Sequence, residues 1–312
     1  MQSTGIPIVL LLSLGSAVLA MIGFVAVRKL SKPINLEAHQ TFLDAMCNIV
    51  GTLVSILLGL LVASALDTYQ ALEQTIDQEA NNASEIFRLS RGLPEPTHDT
   101  VMYYCQRYCQ GVVDKEWAEM AKGKIDMDVF MTYAKLTETI VKFKPHDDGE
   151  SNIQASLLQS VQNMGDCRRT RILALSNTKN QILLPLLLIC AVTIMLFTYL
   201  YVRHVSGLQA LLIACVATVL GGNISLVYLL SRPFEGDWKL KPRGFELNLR
   251  TLNEVYKSGL MAPPVGTKYN SQTQRLEEDP NYVAPPKAAA TAAVTASPKT
   301  TTTATPKAEP KP

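Results

Sequence analysis

Residues 47–91 read CNIVGTLVSILLGLLVASALDTYQALEQTIDQEANNASEIFRLSR, and the change of character partway along decides the fold. Up to Leu66 the stretch contains no Asp, Glu, Lys, Arg or His. A helix rising about 1.5 Å per residue needs roughly 20 such residues to cross hydrocarbon, where every backbone amide must be satisfied within the segment. From Asp67 onward the chain turns polar, yet Tyr69, Leu72, Ile76, Ala80, Ala83 and Phe87 recur at spacings of three and four, the stripe of an amphipathic helix. No breaker separates the halves, so one helix is predicted from the membrane to Arg91, stopping at Gly92, Leu93 and Pro94. At about 45 residues it would reach roughly 70 Å, well beyond a bilayer's thickness.

Three further stretches, residues 6–27, 182–202 and 208–230, are equally long and uncharged. The first lacks a basic segment before it and a small-residue cleavage pattern after it, so it is expected to be a retained anchor. Pro7 and Pro185 are placed near helix starts, where a missing amide proton costs little. A short loop with Ser31, Pro33 and Asn35 joins the first two spans, and a turn from His204 to Gly207 joins the last two, which gives two helical hairpins. Arg28, Lys29 and Lys32 after the first span would hold that loop in the cytoplasm. The wider count opposes this: Arg168, Arg169, Arg171, Lys179, Arg232, Lys239, Lys241 and Arg243 share the other side, eight against the four of Arg28, Lys29, Lys32 and Arg203, and favour cytoplasmic termini.

Between the hairpins the pattern stays helical. Helices are expected from Thr97 to Met120, ended by Gly123, from Met127 to Phe143, closed by Pro145, and from Ser151 toward the third span. Phe245, Leu247, Leu249, Leu252, Val255 and Tyr256 mark a short amphipathic stretch suited to docking on that region. Beyond Met261 the Pro, Ala, Thr and Lys composition cannot bury enough apolar area to offset ordering entropy. The expected organisation is an all-α integral membrane protein: a first transmembrane hairpin (1–66), an extramembrane helical domain (67–180), a second hairpin (181–231), an amphipathic segment (232–261) and a disordered tail (262–312).

A net charge of +2 without an aromatic-interleaved basic stripe argues against a nucleic-acid partner. No G-x-S-x-G, H-E-x-x-H or phosphate-cradling loop is present, and the four histidines are scattered, so neither an enzyme nor a cofactor is expected. Cys105 and Cys109, one turn apart, suit a soft metal only if His98 or Cys167 joins them; packing on an apolar helix face is the stronger expectation. Asn223, beside Gly221 and Gly222, needs a partner within hydrocarbon, and the two glycines could loosen the helix there.

Two patterns on the long helix bear on function. Gly51, Ser55, Gly59 and Ala63 repeat every four residues, a face that either packs against another span of the same chain or lines a pore at a symmetry axis. Asp67, Glu73, Asp77 and Glu79 form an acidic segment, which is either a solvated face or, in a ring of copies, a vestibule that concentrates cations.

Gln78-Glu79-Ala80-Asn81 precedes Phe87-Arg88-Leu89-Ser90-Arg91-Gly92-Leu93-Pro94; Tyr108, Val112, Val113, Glu116 and Trp117 follow; Ser231-Arg232-Pro233-Phe234-Glu235-Gly236 comes after the last span. Together these motifs resemble the bestrophin-like domain family of bacterial membrane proteins, and the resemblance covers roughly residues 40–255. It implies a likeness to bestrophins, pentameric and chiefly anion-conducting channels whose second span lines the pore and continues into a cytosolic helical domain. An aromatic-rich constriction is what this second span lacks, offering Gly, Ser, Leu, Ile and Val instead. Two functions follow as expectations: a homo-oligomeric channel for inorganic ions in a bacterial inner membrane, or a non-conducting membrane scaffold.

Overall fold

The computed structural model describes residues 5–30, 40–176, 178–201, 207–236, 238–259, 263, 267–270 and 275–278. The loop with Ser31, Pro33 and Asn35, the turn at His204 and the tail beyond Glu278 lie outside them. The chain divides into two compact units, Met1–Leu252 and Asn253–Pro312.

The helices of the first unit follow the apolar and amphipathic periods of the sequence. They are α1 (Gly5–Leu30), α2 (Gln40–Leu89), α3 (Thr97–Gly111), α4 (Trp117–Met120), α5 (Met127–Lys142), α6 (Asp148–Leu173), α7 (Thr178–Tyr201), α8 (Gly207–Leu230) and α9 (Arg243–Lys257), the last running past the unit boundary. Among the described residues, three of them are long and apolar enough to cross a membrane, over Val9–Val27, within Asp44–Gly92 and over Gly207–Leu230, and α7 is apolar over Leu184–Tyr199. As its sequence predicts, α2 is continuous for 50 residues and closes in a 3-10 turn, Ser90–Gly92.

Among the apolar helices, α1 lies along α8. Small residues make that approach: a side chain at Gly221 would overlap Ser16, whose hydroxyl donates to the Ala217 carbonyl at 2.8 Å. Gly221 therefore seats α1 rather than loosening α8, which stays helical through Asn223. Ala20 and Phe24 bury against Ile213 and Ala217, while α2 packs on α7 and α8 through Leu58, Ala65, Leu187, Ala191, Leu220 and Val227. Pro185 falls in the interior of α7, not near its start, because the helix begins at Thr178.

In the polar region the caps are local. Asp126 accepts the Val129 amide at 3.1 Å to start α5. Asp147 accepts the Glu150 amide at 2.7 Å, starting α6 ahead of the expected Ser151. Gln154 donates to the Ile140 and Phe143 carbonyls at 2.8 and 2.7 Å, satisfying the end of α5. The helix expected to run from Thr97 to Met120 is interrupted by a π-helical turn, Val112–Glu116, and ended by Gly123 at φ +70°. The amphipathic segment docks as predicted on the polar half of α2. Phe245 is fully buried, Asn248 donates to the Ala80 carbonyl at 2.7 Å, and Ser84 donates to the Asn248 side chain at 2.7 Å.

The second unit contains a two-stranded antiparallel ladder, β1 (Thr267–Asn270) and β2 (Arg275–Glu278), with Lys268 opposite Glu277. It corrects the all-α, wholly disordered reading of residues 262–312. Thr267 and Tyr269 favour extended backbone, and the Lys–Glu pair across the strands adds to it.

Candidate functional site

Where the polar half of α2 meets α6, the core holds charges. Glu79 of α2, Glu116 at the end of the π turn and Arg171 of α6 are wholly buried, and Arg168 nearly so. Arg171 donates from Nε to Glu79 Oε2 at 2.7 Å and from one terminal nitrogen to both Glu79 Oε1 and Glu116 Oε2, each at 2.8 Å. Its other terminal nitrogen meets the Met120 sulfur at 2.8 Å, and its guanidinium stacks 5.5 Å from the centre of the Trp117 ring. Arg168 donates to the second oxygen of Glu116, and the Tyr108 hydroxyl donates to Glu79. Trp117 donates to the Leu240 carbonyl at 2.9 Å, which ties the segment before α9 to the same cluster.

Two carboxylates and two guanidiniums balance in charge, which is the condition for burying them. Burial works against the Arg171 charge, but Glu79 and then Glu116 outweigh it and hold the guanidinium protonated well above its ordinary range. Burial, followed by the Glu79 charge, pushes the Tyr108 hydroxyl well above its ordinary value, so it stays a donor. With guanidiniums that do not give up protons and a tyrosine held protonated, the cluster acts as a brace. It fixes α2, the α3–α4 segment and α6 to one another. The Ala174–Ser176 turn follows α6 directly and leads to α7.

Glu79 therefore leaves the acidic vestibule in which the sequence reading placed it: the carboxylate turns into the core, whereas Asp67, Glu73 and Asp77 are exposed. Arg168 and Arg171 are likewise not free juxtamembrane charges, and without them the charge count stands at six against four. The signal for these positions lay in the period. Glu79 follows Leu72 and Ile76 and precedes Ala83 at helical spacing, and Arg168 and Arg171 continue Leu157, Val161 and Met164. Charges on an apolar stripe imply buried partners.

The other singled-out residues divide by location. Ser55, Gly59 and Ala63 are exposed and Gly51 is half-buried, and a Cβ at either Gly51 or Gly59 would meet nothing within 4 Å among the described residues. Among the motif residues, Asn81 and Arg91 are exposed, Arg88 pairs with Glu85 on the surface, and Leu93 is buried beside half-buried Pro94. Pro233 and Phe234 are buried, with Phe234 edge-on to Trp117 at 5.7 Å. Arg232 is exposed, pairs with Glu235 at 3.1 Å and covers the Tyr228 ring. The Cys105 thiol donates to the Ala83 carbonyl at 3.2 Å, and that of Cys109 is pushed up by its hydrogen bond with Cys105 and by burial, so both serve packing.

No curated protein matches this chain. Two solved structures of a bacterial bestrophin homologue from Klebsiella pneumoniae are similar in fold. A tyrosine-to-alanine variant gives a TM-score of 0.51 at 14% identity, covering 77% of this chain and 94% of that one. An isoleucine-to-alanine variant gives 0.52 at 14% identity, covering 83% and 99%. The bestrophin-like domain model matches residues 14–245, a span that runs from within α1 through α8 and takes in the whole buried cluster, and the chain belongs to the bestrophin-like domain family.

Proposed function

We propose that this chain forms a homo-oligomeric ion channel in the bacterial inner membrane, with α2 nearest the oligomer axis. Four spans in two hairpins, formed by α1, the first half of α2, α7 and α8, would cross the bilayer with cytoplasmic termini, and the residue 67–180 region would stand outside it. The observation that carries this reading is the uncovered surface of α2. Asn48, Thr52, Ser55, Gly59 and Ala63 are all exposed within the apolar half. At about 100° per residue they fall in one strip roughly 80° wide, and the exposed Gln70, Glu73 and Asp77 of the polar half extend it. The Thr52 and Ser55 hydroxyls donate to the Asn48 and Gly51 carbonyls at 2.8 and 2.7 Å, but the exposed Asn48 amide would be costly against lipid, so such a strip suits a water-filled axis. Beside it Ile49, Leu53, Ile56 and Leu60 are exposed as an apolar strip suited to a neighbouring copy or lipid.

Small side chains leave room for an ion at the axis, and Asp67, Glu73 and Asp77 would ring its mouth with carboxylates that favour cations. Purified protein of verified oligomeric mass, fused into planar bilayers, is expected to carry current. Replacing Glu73→Gln together with Asp77→Asn is expected to lower cation over anion permeability. Silence across a range of ions and potentials would remove the channel reading and leave a non-conducting membrane scaffold.

A further inference from the structure

The turn between α4 and α5 leaves large apolar side chains uncovered. Ile125 is 49% exposed, Met127 66% and Met131 51%, although Val129, Thr132, Leu136 and Ile140 already bury the inner face of α5. Scattered apolar residues are ordinary on a surface, but with Phe130, 43% exposed, these make four within seven positions, a patch that asks for a cover.

Position indicates the cover. From Cys105, bonded to Ala83 of α2, the chain runs back toward the apolar helices. Trp117 meets Phe234, four residues past the end of α8. Met120 and Gly123 then line a cavity of about 370 Å³ together with Leu184 of α7 and with Tyr228 and Ser231 at the end of α8. The turn thus begins at Gly123, beside the ends of the apolar stretches of α7 and α8, and its apolar side chains follow within a few residues.

Resting on the membrane reading of α7 and α8, we infer that this turn is a membrane anchor: Ile125, Met127 and Met131 enter the boundary between headgroups and acyl chains. The nearby charges are balanced. Lys122 pairs with Glu119 at 2.7 Å, Lys115 with Asp128 at 3.4 Å, and the charge of Lys124 in the turn is offset by that of Asp126, which caps α5, so the anchoring is apolar and does not depend on anionic lipid. Val141, also exposed but roughly 20 Å farther along α5, lies in water.

Single tryptophans in the full chain, reconstituted into phosphatidylcholine bilayers, test this against the emission of the native Trp117 and Trp238. With bromine just below the lipid esters, the added emission of Ile125→Trp and Met131→Trp is expected to fall by roughly half, because an interfacial side chain sits about 5–10 Å into this boundary. Val141→Trp is expected to be unchanged. Unquenched emission at both turn positions overturns the anchor, whether acrylamide reaches them, which places the turn in water, or does not, which places it under another protein surface. Val219→Trp, on the exposed face of α8, separates the failures: quenching there by bromine deep in the acyl chains keeps the membrane reading even if the anchor falls, and its absence removes both.

Discussion

From Asp67 to Leu89, α2 turns its apolar stripe and Glu79 toward neighbours of its own chain, and the carboxylate receives hydrogen bonds from Arg171 and Tyr108. From Asn48 to Ala63 the same helix leaves a strip of small and polar residues exposed among the described residues. Yet α1 and α8 show that small residues in this protein can close tightly, with Ser16 seated against Gly221. Small residues permit close approach but do not choose the partner. The buried charges of the polar half of α2 are paired within one chain, whereas in the apolar half one face packs on α7 and α8 and the strip of small residues stays exposed.

The largest blow to that contrast should come from Arg171→Met, which leaves Glu79 without a cation in the core and Glu116 with Arg168 alone. Unfolding of the purified protein in detergent is expected to show a loss of about 3–5 kcal/mol. A loss under 1 kcal/mol would mean that the cluster is not what completes the polar half. Gly221→Val should follow, at about 1–3 kcal/mol, because the added methyls overlap Ser16; an unchanged unfolding curve would show that α1 is not held there.

Tyr108→Phe should cost about 1 kcal/mol at neutral pH through the lost hydrogen bond to Glu79. It also carries a pH signature with a definite sign. The folded hydroxyl is raised above its unfolded value near 10, so its contribution is complete below that pH and is lost as pH rises, because the unfolded chain then ionises while the folded one holds its proton. Wild-type stability should therefore fall more steeply than the variant's above about pH 10, and parallel slopes would argue against a buried, protonated tyrosine. Gly59→Leu should have the smallest effect on stability, within about 0.5 kcal/mol. The same substitution should cut single-channel current, and a variant that unfolds early would show that Gly59 is packed inside the chain after all.

Much of the fold was legible in residues whose signal is local. The continuous α2, the stop at Gly92, the turn at Gly123 and the docking segment around Phe245 follow from apolar length, helical period and breakers. The start of α6 was misplaced because a single Asp147 cap moved it. The π turn at Val112–Glu116 left no local mark; it places Glu116 where Arg168 and Arg171 converge. Glu79, Arg168 and Arg171 sat on their apolar stripes all along, but charge alone gave them to the solvent and to the bilayer flank.

The sequence by itself determined where helices form and which of them are apolar enough for a membrane, since both depend on neighbours within a few turns. Which faces are covered was decided only in three dimensions. Glu79 and Arg171 are 92 positions apart, and Ser16 and Ala217 are 201 apart. A helical period says that a residue faces inward, but the partner that neutralises its charge or fits its small side chain comes from a distant segment, and only tertiary packing brings the two together.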